Sequence, residues 1–227
     1  MFRGIAIAIV SIVMSSRVQA AAAQVSQLSV FVYDDARVPE ATLERGEEVA
    51  GRIYQHAGIA IQWTDCSPMS SRSQADCRDA ASSPHLSVRI VARPLNLPGE
   101  DFGVAFVDGQ GAGQQADVFY SRIENFQAES LADRAQILGH VMAHELGHLL
   151  LGMNSHSTQG IMQPHWGERE LRLASMGNLQ FDRRQSEMIR DRVRGSYETQ
   201  RAGMSGFSLA VTKAFWARME PARPSLP

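Results

Sequence analysis

"HVMAHELGHLLLGMNSHS", residues 140–157, holds four of the seven histidines in the chain. Around them stand Val141, Met142, Ala143, Leu146, Leu149, Leu150 and Leu151, with no proline. A helix this apolar is buried on most sides, and two imidazoles with a carboxylate inside it are costly unless they have partners. His144 and His148 are four residues apart, which stacks them on one helical face. That geometry lets both reach one metal ion at about 2.0–2.1 Å. Glu145 follows the first histidine, placing its carboxylate beside the metal's open position, where it can take the proton of a bound water. The run His144-Glu145-Leu146-Gly147-His148 is the HExxH pattern of zinc hydrolases. The competing reading is a helix whose histidines sit by chance on a polar face, and the apolar neighbours count against it. His140 lies one turn earlier but is followed by Val141 rather than Glu. It is assigned a structural or supporting role, outside the ligand set.

A catalytic zinc ion usually takes three protein ligands and leaves one position for water. Past Gly152, which suits a left-handed helix end, the third-ligand candidates are Asn154, His156, His165, Glu168 and Glu170. His156 is preferred, close enough behind the turn for the chain to fold back, and Glu168 is the rival.

The longer stretch "HELGHLLLGMNSHSTQGIM" resembles the metzincin metallopeptidases, in which HExxH on a helix is followed by a glycine turn, a third histidine and a methionine turn. The resemblance spans roughly Gln27 to Arg194, with about twenty residues carrying the motif. It implies an α+β fold: a mixed twisted sheet packed on helices, an active-site helix, then a small C-terminal subdomain with a Met-turn and a helix. It further implies a Zn2+ peptidase with His144, His148 and His156 as ligands, Glu145 as general base and Met162 as an apolar floor. The substrate would be a peptide or protein lying antiparallel to an edge strand, offered by Ala116–Tyr120 or by Gly103–Val107. The spacing departs from the family's HExxHxxGxxH. Gly152 comes four residues after His148 and His156 eight, so the turn leaves in another direction and the return path is longer. Glu168, twenty residues past His148, resembles instead the carboxylate ligand of thermolysin-related enzymes, carried on a helix around Glu168 to Leu173.

Working outward, strands are expected at 27–35, 59–66, 86–95, 103–108 and 116–123, from runs of β-branched and aromatic residues. Helices are expected at 39–56, despite Gly46 and Gly51, and at 130–151, 181–194 and 207–219. The glycine-rich link 109–115 lacks a following Lys-Ser/Thr and reads as a turn rather than a phosphate loop. His165 and Trp166 either line a pocket or, for Trp166, join the core.

The chain has 227 residues, 44% apolar and 20% charged, with a formal charge of −2. Those figures suit one substantial soluble domain and give no reason to expect nucleic acid as a partner. Residues 1–20 read as a signal peptide: Arg3, an eleven-residue run from Gly4 to Met14 that is apolar except for Ser11, and Val18-Gln19-Ala20 as a cleavage site. The alternative is a buried N-terminal helix. No later segment is apolar enough to span a membrane. The organisation is then a metallopeptidase domain at 21–195, with halves 27–152 and 153–195, and an extension at 196–227. Export makes Cys66 and Cys77 a loop-closing disulfide, in a periplasmic or secreted protein. The alternative function is a non-catalytic secreted domain with a structural metal closed by a fourth protein ligand, His165 or Glu168 beside His156.

Overall fold

The computed structural model describes residues 26–67, 77–78, 84–94, 101–109, 111, 113–129 and 133–204. The proposed signal peptide, the 207–219 helix and most of the 196–227 extension lie outside the described residues. Five strands form one mixed sheet: β1 (Ser26–Asp34), β2 (Ile59–Asp65), β3 (Leu86–Val91), β4 (Gly103–Val107) and β5 (Gly113–Phe119), in the order β2-β1-β3-β5-β4. β1 runs parallel to β2 and β3, β3 runs parallel to β5, and β4 alone is antiparallel, pairing with β5. The α+β expectation of a mixed sheet packed on helices matches this arrangement.

Helix α1 (Glu40–His56) links β1 to β2, the crossover that a parallel pair requires. Its inner face, Val49, Ala50, Ile53 and Tyr54, is buried. The glycines that weaken its helical pattern have a tertiary use. A Cβ on Gly46 would stand 3.0 Å from Leu138, and one on Gly139 would stand 2.5 Å from the Gly46 carbonyl oxygen. Bare backbone is what lets α1 cross the central helix so closely. Arg45 of α1 also reaches Asp133, the N-cap of that helix, at 3.0 Å.

The run expected as a strand at 116–123 divides. β5 ends at Phe119 and a helix, α2 (Tyr120–Glu129), begins at the next residue. Tyr120 and Ile123 are buried one turn apart, a helical stripe. Of the two candidate edge strands, β5 is interior, between β3 and β4, so Ala116–Tyr120 offers no edge. β4 has no partner on its outer side among the described residues.

α3 (Arg134–Leu151) crosses the sheet as the central helix. Asp133 caps it, its Oδ1 accepting from the Ala135 N–H at 3.2 Å, and Gly152 (φ 84°) ends it. Leu138, Met142, Leu146 and Leu149 are almost wholly buried, each contributing about 1.5–3 kcal/mol relative to exposure. That stabilisation offsets the cost of the polar groups carried on the same helix. After α3 the chain runs irregularly to α4 (Glu168–Ser175) and then to α5 (Arg183–Met204), which is longer than the expected 181–194. Cys66 and Cys77 form a disulfide with Cα atoms 5.9 Å apart. Among the described residues no helix is long and apolar enough to cross a membrane.

Candidate metal centre

His144 and His148 project from one face of α3 and His156 comes to meet them from the segment after Gly152. One side-chain nitrogen from each lies within 4.8 Å of the other two. The ring centroids of His148 and His156 are 4.7 Å apart, and those of His144 and His156 are 5.6 Å apart. Among the described residues this cluster has three members. Glu168, the rival third ligand, sits exposed at the start of α4 and is not one of them.

The return of His156 has a local cause. Gly152 (φ 84°) and Asn154 (φ 58°) both occupy the left-handed region, two residues apart. Glycine does so without penalty and asparagine better than most residues. These two turns lead the chain back towards the α3 histidines. At Gly152 the chain is also braced from outside, because a Cβ there would stand 3.3 Å from the Gly111 carbonyl oxygen at the β4–β5 turn.

Hydrogen bonds orient two of the imidazoles. The Ile161 carbonyl accepts from His144 Nδ1 at 2.8 Å, and a carbonyl can only accept, so Nδ1 carries the proton and the Nε2 lone pair faces the cluster. His148 Nδ1 meets Ser155 Oγ at 2.7 Å. His144 Nε2 and His148 Nε2 are 3.0 Å apart. Two neutral imidazoles can share that gap only if His148 holds the proton on Nε2, with Ser155 donating to its Nδ1. A cation between them removes the need for the proton. Donors about 2.0–2.1 Å from one tetrahedral centre lie roughly 3.3 Å from each other, so the pair is within a few tenths of an ångström of that spacing. The donor set and its outer hydrogen bonds thus fit zinc, a metal whose histidine ligands commonly bond through their second nitrogen.

Burial acts on every group here. It lowers His144 to about 4 and His148 to about 3, and it lowers His156 as well. These imidazoles are therefore neutral and ready to donate lone pairs. Burial raises Glu145 to about 8, with the negative charge of Asp101 adding to the effect. A carboxyl group enclosed in this way needs a neighbouring positive charge to ionise at neutral pH. Glu145 is also hemmed in by β4, since a Cβ on Gly103 would stand 2.7 Å from its Cγ and Oε1.

The centre lies in a cleft of about 1260 Å3 whose lining includes His144, Glu145, His148 and His156. β4 forms one wall, and α2 contributes Arg122, Asn125 and Phe126. Sequence patterning missed these three because the strand signal runs through Tyr120. It also missed Asp101 and Ser155, which carry no motif. Trp166 and His165 line the cleft, and Trp166 packs partly against the core as well. His140 is buried on α3, its Nδ1 bonded to the Gln136 carbonyl at 2.8 Å. Met162 is fully buried, with its sulfur 2.7 Å from where a Cβ on Gly147 would lie, beneath the stretch between the two α3 histidines.

No protein-family model matches the chain, and no curated protein does. Among solved structures it is similar to an archaemetzincin from Methanopyrus kandleri, at 17% identity over 75% of this chain and 98% of that one, with a TM-score of 0.46. It is also similar to a zinc-dependent peptidase from Methanocorpusculum labreanum, at 14% identity over 70% of this chain and 99% of that one, with a TM-score of 0.49.

Proposed function

We propose that this chain is an exported zinc-dependent peptidase in which His144, His148 and His156 hold the metal and Glu145 is the general base. What carries the reading is one convergence: three neutral imidazoles and a buried carboxyl group at the floor of an open cleft. Zinc held there would supply Lewis acidity towards a substrate carbonyl and lower the pKa of water to about 7.

The chain's own residues do the rest. With zinc bound, its charge would draw Glu145 back towards ionisation, and the carboxylate would then be placed to accept a proton from the attacking water. The same carboxyl then returns that proton to the departing amine, and Glu145 ends the cycle as it began. β4, which has no outer strand partner among the described residues, offers backbone groups along the cleft wall suited to an extended peptide lying antiparallel to it. Met162 serves as the apolar floor under the α3 histidines and keeps that side of the site dry. The Cys66–Cys77 disulfide supports export, since such bonds persist in oxidising compartments.

Among the described residues the cluster has three members, which favours an open catalytic site over a closed structural one with four protein ligands. Glu145→Gln is the direct test, applied to purified mature protein with a peptide-library digest and metal analysis. The expected result is stoichiometric zinc in both proteins and cleavage only in the wild type. Zinc without cleavage in the wild type, or cleavage that survives the substitution, rejects the peptidase assignment.

A further inference from the structure

The Ile161 carbonyl that receives His144 Nδ1–H has a second donor. Trp166 Nε1–H points to the same oxygen at 3.2 Å. A carbonyl oxygen has two lone pairs, and here both are used. The other side of that residue is held too, because the Ile161 N–H donates to the Gln180 carbonyl at 3.0 Å. The indole ring also sits edge-on to His144, with centroids 5.7 Å apart and planes at 82°, and edge-on to His140 at 6.3 Å. One side chain thus contacts the imidazole directly and pins the acceptor that orients it.

We propose that Trp166 is a positioning residue for His144, acting through the Ile161 carbonyl. The physical reason lies in where Ile161 sits. It belongs to the irregular stretch between α3 and α4, where no helix or strand ladder fixes the peptide plane. The 161–162 peptide is the middle one of the turn closed by the Gln163 N–H on the Gly160 carbonyl. Without the indole N–H its oxygen keeps His144 as its one donor, the plane can tilt within the turn, and the His144 ring tilts with it. The Nε2 lone pair then leaves the direction of His148 and His156. Groups bonded directly to a metal ligand, as the Ile161 carbonyl is to His144, typically contribute 10–100-fold to metal affinity, and Trp166 acts one hydrogen bond further out. Trp166 meets the site through the His144 ring and the carbonyl that orients it.

The inference rests on the reading that the histidine triad holds zinc, and Trp166→Phe is the variant that isolates it. Phenylalanine keeps an aromatic ring against His144 but removes the N–H. Zinc affinity, measured by chelator competition, should fall about tenfold, while the melting temperature of the metal-free protein stays close to that of the wild type. In 15N-labelled metal-free protein, the His144 Nδ1–H resonance should move on substitution. Because the ring change alone alters the ring current at His144, the deciding reading is that proton's exchange with solvent, which should quicken in the variant and would not for a merely structural tryptophan. In the wild type the Trp166 indole proton should exchange slowly with solvent, a measurement that decides the matter even if the variant fails to fold. Equal zinc affinity in both proteins overturns the proposal, and so does an indole proton that exchanges like an exposed one. If the wild type binds no zinc at all, the peptidase reading fails, and the two proton measurements still report on Trp166 separately.

Discussion

Ser155 Oγ stands 2.7 Å from His148 Nδ1, and the next residue along the chain is His156. A single short segment therefore supplies one cluster nitrogen and orients the ring that supplies another. Serine suits this place because a hydroxyl both donates and accepts. It can serve His148 in either tautomer, before and after metal entry. Ser155→Ala should weaken zinc binding by roughly tenfold and leave the fold intact. Chelator competition on the purified protein checks this, and unchanged affinity would remove Ser155 from the site.

The choice between His156 and Glu168 can be settled by the same assay. His156→Ala should lower zinc affinity by more than about 100-fold, beyond the usual effect of an outer partner. Glu168→Ala, on an exposed residue at the start of α4, should have no measurable effect. The reverse ranking would transfer the third ligand to the carboxylate.

Gly103→Ala should impair catalysis more than metal binding. The added methyl would lie 2.7 Å from Glu145 Cγ and Oε1 and 2.7 Å from the Asp117 carbonyl oxygen, so either β4 or the glutamate must move. Overpacking of this kind costs about 1–3 kcal/mol. The expected outcome is a lower thermal midpoint, wild-type zinc content and a kcat reduced at least tenfold. A variant with full activity would show that the contact does not position Glu145.

In the metal-free protein, pH should reveal opposed contributions from the site. His144 titrates at about 4 and His148 at about 3 in the folded chain, against an ordinary 6.5. Between those limits the unfolded chain binds more protons, so stability is lost as pH falls below about 6.5. Glu145 runs the other way. It keeps its proton to about pH 8 when folded but releases it near 4.5 when unfolded, so stability falls as pH rises through that window. Below 6.5 the two histidines outweigh the one glutamate. Between 6.5 and 8 the glutamate is left to dominate the site's contribution. Thermal midpoints measured in chelator should accordingly decline from pH 6.5 to 8 in the wild type, and Glu145→Gln should flatten that decline. Parallel curves for the two proteins would refute the assignment of this limb.

Much of the site was legible because its chemistry is local. An i, i+4 pair on a helix meets whatever the rest of the chain does, so His144 and His148 could be placed from spacing alone. The β1, β2 and β3 runs alternate or cluster their apolar residues strongly enough to mark themselves. What escaped was set by distant contacts. Gly46 reads as a weakness in α1 until its closeness to Leu138 and Gly139 is known. The boundary between β5 and α2 falls inside one aromatic, β-branched run, where propensity does not distinguish strand from helix. The path to His156 depends on two left-handed residues, and only Gly152 carried a readable signal for one. The longer α5 escaped because the chain beyond Arg194 is too polar to show an apolar stripe.

The close crossing at Gly46 and Gly139 divides the site mechanically. With backbone pressed on backbone there, the helix bearing two of the three imidazoles has no room to slide or roll. Accommodation to an incoming ion then falls more to the opposite bank, the segment after Gly152 that holds Ser155 and His156. This centre is an anvil with one adjustable jaw, and substitutions that retune its affinity are best sought on the jaw.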